Sequence, residues 1–229
     1  MRERQERYDE KLVQILESAC GIFAEKGYHH ASVRDVAAAT GVSPAGLYYY
    51  FKSKEELLFL ILDHCLASLL TVVKTAAAGV DDPADRIRTV IRSHLQFFMG
   101  HRDEMRVLAQ EWESLSGRFR AEVLGRQRDY AAMVLRALRE LRPDSSRKEL
   151  RASAMALFGI LTWMYQWHRP QRDLPAEELS DHLAEIFLDG FLRGGRTRNA
   201  PAPGTGRKRT HAPWAHDERP PSVLSGPAF

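Results

Sequence analysis

Three consecutive tyrosines, Tyr48, Tyr49 and Tyr50, follow a Ser43-Pro44 pair and precede Lys52 and Lys54. Tyrosine hydroxyls, lysine ammoniums and helix N-terminal amides all donate hydrogen bonds to phosphate oxygens, while small and apolar side chains meet base edges and thymine methyls. Ser43 suits a helix N-cap, and Pro44 suits the first helical position, where its missing N–H costs nothing. Ala45 and Gly46 are small enough to let backbone approach a groove. Adjacent residues spread over roughly 200° of a helix surface across three positions, so at least one tyrosine must face away from the chain's own core. The chemistry implied is contact with a polyanion.

The elements that must hold these residues are legible around them. Ser32 is an N-cap with Asp35 three positions later, a capping box. Val33, Val36 and Ala37 then form a short apolar face at helical spacing. Gly41 stands where a chain leaving a helix needs positive φ. Leu47 and Phe51 can pack the second helix on the first, leaving Pro44, Ala45, Tyr48 and Tyr49 outward. Two helices joined by a short glycine turn form the helix-turn-helix unit, whose second helix enters the DNA major groove. Residues 8–26 read as an amphipathic helix carrying Leu12, Ile15, Leu16, Ala19, Ile22 and Phe23, ended by Gly27, with Arg2, Arg4 and Arg7 as a basic arm ahead of it. Ser53 and Glu56 open a long helix, in a second capping box, that reaches about residue 78.

The stretch from Leu12 to Leu58, with ILESACGIFAEKGY and ASVRDVAAATGVSPAGLYYYFKSKEEL, resembles the N-terminal domain of TetR-type transcriptional regulators. That resemblance implies double-stranded DNA as a partner. It places contacts at Ser32, Val33 and Arg34, at Ser43, Pro44, Ala45, Gly46, Tyr48, Tyr49 and Tyr50, and at Lys54. Where many relatives have Lys, Arg, Thr or Asn near the recognition-helix start, this chain has Pro44-Ala45-Gly46, which implies sparse base readout by hydrogen bonds.

The 229 residues fit a small domain plus a larger one, and 44% apolar content supplies a buried core. No run of 18 apolar residues and no apolar signal segment appear, so the expectation is a cytoplasmic protein, nucleoid-associated when on DNA and without a membrane partner. Cys20 and Cys65, the two cysteines, fall on apolar helix faces and read as buried thiols. The net charge of +3 is misleading: six basic residues stand against two acids from position 194 onward, so the first 193 residues carry −1. Attraction to nucleic acid must therefore come from local placement.

The rest of the chain reads as helices at about 83–100, 102–115, 117–141, 146–167 and from Pro175, without strand-like alternation, giving an all-α fold. The expected division is a helix-turn-helix head at 1–54, a helical body at 55–193, and a disordered basic tail at 194–229 rich in Pro and Gly. In the body, Phe97, Phe98, Met105, Leu108, Trp112, Tyr130, Met133, Phe158 and Trp163 are candidate walls of an effector pocket, since methionines and aromatics line cavities between helices. The last two helices carry broad apolar faces, from Ala152, Met155, Ala156, Phe158, Gly159, Thr162 and Trp163 to Leu183, Ile186, Phe187 and Phe191. Paired about a two-fold axis they would make a four-helix homodimer interface, which predicts an inverted-repeat operator.

The segments HLQFFMGHRDEMRVLAQEWESL and WMYQWHRPQRDLPAEELSDHLAEIFLDGF resemble TetR-type regulators of fatty-acid or steroid degradation. That resemblance implies a repressor released by a small hydrophobic effector, an acyl-CoA thioester, with Arg102, Arg106, Arg118, Arg120, Arg126 and Arg128 available to its phosphates. Two other readings compete: an architectural DNA-binding protein without effector, and a helical enzyme. The chain has no GxSxG, glycine-rich phosphate loop, HExxH or CxxC, and neither a cofactor nor a metal is expected; His29-His30 alone is a weak ligand pair.

Overall fold

Local capping sets most of the helix boundaries. The computed structural model describes residues 2–193, and the expected basic tail lies outside them. The first helix, α1, spans Arg2–Lys26, so the expected basic arm is the opening turns of a helix. It ends where Gly27 takes φ 78°. The Ser32 side chain accepts from the Asp35 amide while the Asp35 carboxylate accepts from the Ser32 amide, and this reciprocal cap starts α2, Val33–Thr40. Gly41 at φ 66° ends it. Helix α3, Pro44–Leu47, begins at Ser43, whose hydroxyl accepts from the Gly46 amide.

Helix α4, Lys54–Ala77, starts at Ser53, whose hydroxyl takes the Glu56 amide. The Glu56 carboxylate reaches the Lys52 amide instead of the Ser53 amide, so the expected second box is displaced by one residue. By length and hydropathy alone α4 would pass for a membrane-crossing helix, although charged and polar residues interrupt its apolar run. Nine of its side chains, from Leu57 to Val73, are instead buried within the chain.

Behind α4 come α5, Pro83–Gly100, α6, Arg102–Glu111, a 3-10 turn at Trp112–Ser114, and α7, Gly117–Leu141. Then follow α8, Arg147–Thr162, the short α9, Met164–Trp167, and α10, Ala176–Arg193. No strand occurs among the described residues, and the fold is all-α. The expected single helix at 146–167 is broken at Trp163, where the break leaves Trp163 half exposed and buries Met164. Helix α4 packs on α5 and α7 in the body and on α1 in the head; α10 lies along α5 and α8 along α7. One continuous core runs from Ile15 in α1 to Phe191 in α10.

Candidate nucleic-acid interface and body cavity

The residues expected to meet DNA divide into an outward set and an anchored set. Ser32, Arg34, Ser43, Pro44 and Ala45 are exposed, and Tyr48 and Tyr49 are the most exposed aromatics of the head at 52% and 68%. Gly46 is half-buried; a Cβ there would come within 3.0 Å of the Val42 side chain and 3.2 Å of Ser43 Oγ, so a larger residue would disturb the cap. Val33 packs against the core and not outward.

The α-helical ladder of α3 is short. Tyr49 and Tyr50 donate to the Gly46 and Leu47 carbonyls at 3.2 and 2.9 Å, a three-residue spacing that tightens the helix end. Tyr50 is drawn back onto α1, where its ring stacks on Tyr8 at 5.0 Å, and Tyr49 meets the edges of both rings. Burial and the two neighbouring phenols raise the Tyr8 pKa. Sequence reasoning missed Tyr8 because it lies 42 positions from Tyr50 and nothing local links them.

Lys54 differs most from expectation. Its ammonium donates to the carbonyls of Tyr28 at 2.8 Å, Ala31 at 3.0 Å and His29 at 3.4 Å, and it lies 4.4 Å from the centre of the Tyr28 ring. All three protons of the amine are directed at the turn between α1 and α2, so Lys54 organises that turn instead of reaching outward. Lys52, by contrast, is exposed. On the other side of the turn, Lys26 holds Asp35 at 2.7 Å; that bond, with those from Ser32, keeps the Asp35 carboxyl well below the usual carboxylate range.

The same turn is tied to the body. The Tyr28 amide donates to Glu111 Oε1 at 3.0 Å, and His29 Nε2 lies 3.2 Å from Ser114 Oγ. Glu55 at the start of α4 accepts from the Ser116 amide and hydroxyl, both at 2.7 Å. Phe59 stacks on Phe119 at 4.7 Å. Asp63 holds Arg126 across α4 and α7 through a bidentate pair, one arm of which measures 2.8 Å.

Within the body, Met105, Leu108, Trp112, Tyr130 and Phe158 converge on one apolar cavity with Leu66, Leu69, Ala109, His94, Gln127 and Thr162. Its volume is about 60 Å³, inside a recess of about 560 Å³ that includes the open mouth. The other expected wall residues lie elsewhere. Phe98 belongs to the solid core, and Phe97 faces a separate recess beside Cys20, Cys65 and His101. Met133 borders an outer groove with Lys74 and Arg136, and Trp163 is 51% exposed. Adjacent residues on a helix point about 100° apart, so Phe97 and Phe98 on α5 meet different neighbours, a distinction that residue type does not carry.

His94 and Gln127, which sequence reasoning passed over, are the polar groups of the cavity. His94 Nδ1 lies 2.9 Å from the Tyr130 hydroxyl, and burial lowers the His94 pKa to about 4, leaving a neutral ring at pH 7. Cys20 and Cys65 are buried free thiols as expected, and burial pushes both upward in pKa.

Residues 15–61 match the family described as bacterial regulatory proteins, tetR family, and residues 80–191 match the tetracyclin repressor-like C-terminal domain. Among curated relatives, the transcriptional repressor KstR2 of Mycobacterium tuberculosis is 24% identical over 186 residues, covering 80% of this chain and 93% of that protein. A TetR-family transcriptional regulator from Bordetella parapertussis is 30% identical with a TM-score of 0.74, covering 80% of this chain and 96% of the other. AibR, solved with isovaleryl coenzyme A and operator DNA, shares the fold at 24% identity and a TM-score of 0.70, over 77% of this chain and 97% of its own. The N-terminal and C-terminal matches thus agree with one family: the chain belongs to the TetR family of bacterial transcriptional regulators.

Proposed function

We propose that the protein is a repressor that binds an inverted-repeat operator as a homodimer and is released by a small hydrophobic effector. The observation that carries this reading is the shared role of the α6 region. It lends Met105, Leu108, Ala109 and Trp112 to the cavity, and Glu111 to the turn that sets the start of α2. A ligand that repositions this segment acts on the head through that hydrogen bond and through the packing of α6 on α1. Only differential affinity for the two head placements is then needed to shift the population off DNA.

The head at 1–54 meets the duplex through Ser32, Arg34, Ser43, Pro44, Ala45, Tyr48 and Tyr49, with Gly46 allowing close approach. Val33, Tyr50 and Lys54 act behind that surface by holding it in place. The body at 55–193 supplies cavity and dimer face. Exposed Ala152, Ala156, Gly159 and Trp163 on and after α8, with Ile186 and Leu192 on α10, are the side chains a second copy would cover. Buried Phe158, Phe187 and Phe191 instead serve the chain's own core. An acyl-CoA effector is supported by the isovaleryl coenzyme A bound to AibR. Of the candidate arginines, Arg126 is engaged by Asp63 and Arg102 by the His168 carbonyl, whereas Arg106 and Arg128 are exposed and are the ones we assign to the acyl-CoA phosphates.

Selection of bound duplexes from a random library by the full-length chain tests this reading. The expected product is an inverted repeat bound by an even number of chains and released by decanoyl-CoA. Binding without sequence preference and indifferent to that ligand would instead establish the architectural alternative.

A further inference from the structure

We infer that the body cavity selects an uncharged, largely apolar ligand bearing a hydroxyl group, which accepts from His94 Nε2–H and donates to Gln127 Oε1. The inference rests on the effector-binding reading above and gives a chemical class to the part of the effector that enters the cavity; the charged coenzyme of an acyl-CoA would stay outside it.

Two buried polar atoms carry it. His94 is 1% exposed and Gln127 5% exposed, and both line the cavity. Among the described residues, neither His94 Nε2 nor Gln127 Oε1 has a hydrogen-bond partner. Native interiors rarely leave such atoms unpaired, and two in one cavity mark a place where a polar group belongs. The remaining wall is apolar, with Met105, Trp112 and Phe158 among its members.

The direction of each bond follows from Tyr130. Its hydroxyl lies 2.9 Å from His94 Nδ1 and, being buried, needs an acceptor. Donation from Tyr130 to Nδ1 puts the imidazole proton on Nε2, because a neutral ring carries only one. The two unpaired atoms are therefore one donor, His94 Nε2–H, and one acceptor, Gln127 Oε1. A hydroxyl answers both at once. An ether or ketone accepts from His94 but leaves Gln127 unpaired. A carboxylate answers neither well, since no Lys, Arg, Asp or Glu lines the cavity and the His94 ring is neutral.

Size is consistent with a polar group seated in the cavity. About 60 Å³ holds a hydroxyl with one or two carbons, and the recess of about 560 Å³, mouth included, leaves room for a chain to follow. Met105, unbranched and flexible, is the wall residue best able to move aside.

Calorimetric titration of the full-length protein with 1-octanol, methyl octyl ether and octanoate tests the assignment. These share a chain and differ in donor, acceptor and charge. Octanol should bind about tenfold or more tightly than the ether, because the site's acceptor is left unpaired by the analogue lacking the proton. Octanoate should bind weakest. Gln127→Met keeps the volume, removes the acceptor, and should abolish the preference for octanol while retaining ether binding. Equal affinity for octanol and ether in the unmodified protein overturns the hydroxyl assignment whatever the variant does, as does tighter binding of octanoate. Failure of all three to bind also overturns it. If decanoyl-CoA also fails to release operator, the effector reading falls with it; if decanoyl-CoA still releases operator, that reading stands alone.

Discussion

Replacing Lys54 by methionine separates two roles that the sequence alone does not distinguish. The change keeps the aliphatic stem and removes the ammonium that bonds the Tyr28 and Ala31 carbonyls at 2.8 and 3.0 Å. Hydrogen bonds involving a charged group contribute about 1.5–3 kcal/mol each, and a part-buried carbonyl left unpaired adds its desolvation cost. Lys54 is itself half-exposed and the bonds share one donor, so their sum is discounted to about 3 kcal/mol. For a chain of this size that corresponds to a fall in melting temperature of about 6–12 °C. Differential scanning calorimetry measures it directly. Operator affinity should fall too, because the turn ahead of α2 loosens, but the dependence of affinity on salt should keep its slope. A phosphate-contacting lysine behaves in the opposite way: little change in stability, and a log–log salt slope smaller in magnitude by about 1.8, one contact being lost from each protomer of the dimer. That second pattern would refute the role assigned to Lys54 and return it to the DNA-contact set.

Tyr49→Ala should weaken operator binding about fivefold to tenfold in fluorescence anisotropy with only a small fall in melting temperature, since a 68% exposed ring contributes little to the core beyond its edge contacts with Tyr8 and Tyr50. Gly46→Ala should weaken binding as well, because the new Cβ meets the Val42 side chain at 3.0 Å and displaces the Ser43 cap. His94 supplies a pH signature. Its folded pKa of about 4 lies below the ordinary 6.5, so the unfolded chain binds the proton first and stability is lost as pH falls from about 6.5 to 4. The loss from this one group approaches about 3 kcal/mol, and denaturant midpoints of His94→Phe should lack that drop over the same interval. Ile186→Glu should convert a dimer to monomers in sedimentation measurements and abolish operator binding, while leaving helicity intact.

Much of the head was legible because its determinants are local. A serine and an acid three positions apart can cap a helix from local residues alone: Ser32–Asp35 forms the expected reciprocal box, and Ser146–Glu149 forms another. Gly41 sits at positive φ for the same kind of reason. Glu56 shows where local patterning stops: its carboxylate had two amides in reach and took that of Lys52. At Trp163, apolar periodicity continued while the helix did not, because periodicity reports a face and not the path of the backbone.

The sequence by itself determined the all-α class, the helix-turn-helix and most helix ends, since these depend on residues within a turn of one another. Tertiary structure alone decided which side chains were left for chemistry. Lys54 turns inward to carbonyls 23 and 26 positions away, and His94 meets Tyr130 across 36 positions. Tyr50 was taken by Tyr8, and Met133 and Trp163 faced away from the cavity that Met105, Trp112 and Phe158 enclose. Each outcome depends on how helices distant in sequence pack side by side, and buried polar atoms must find their partners wherever that packing puts them.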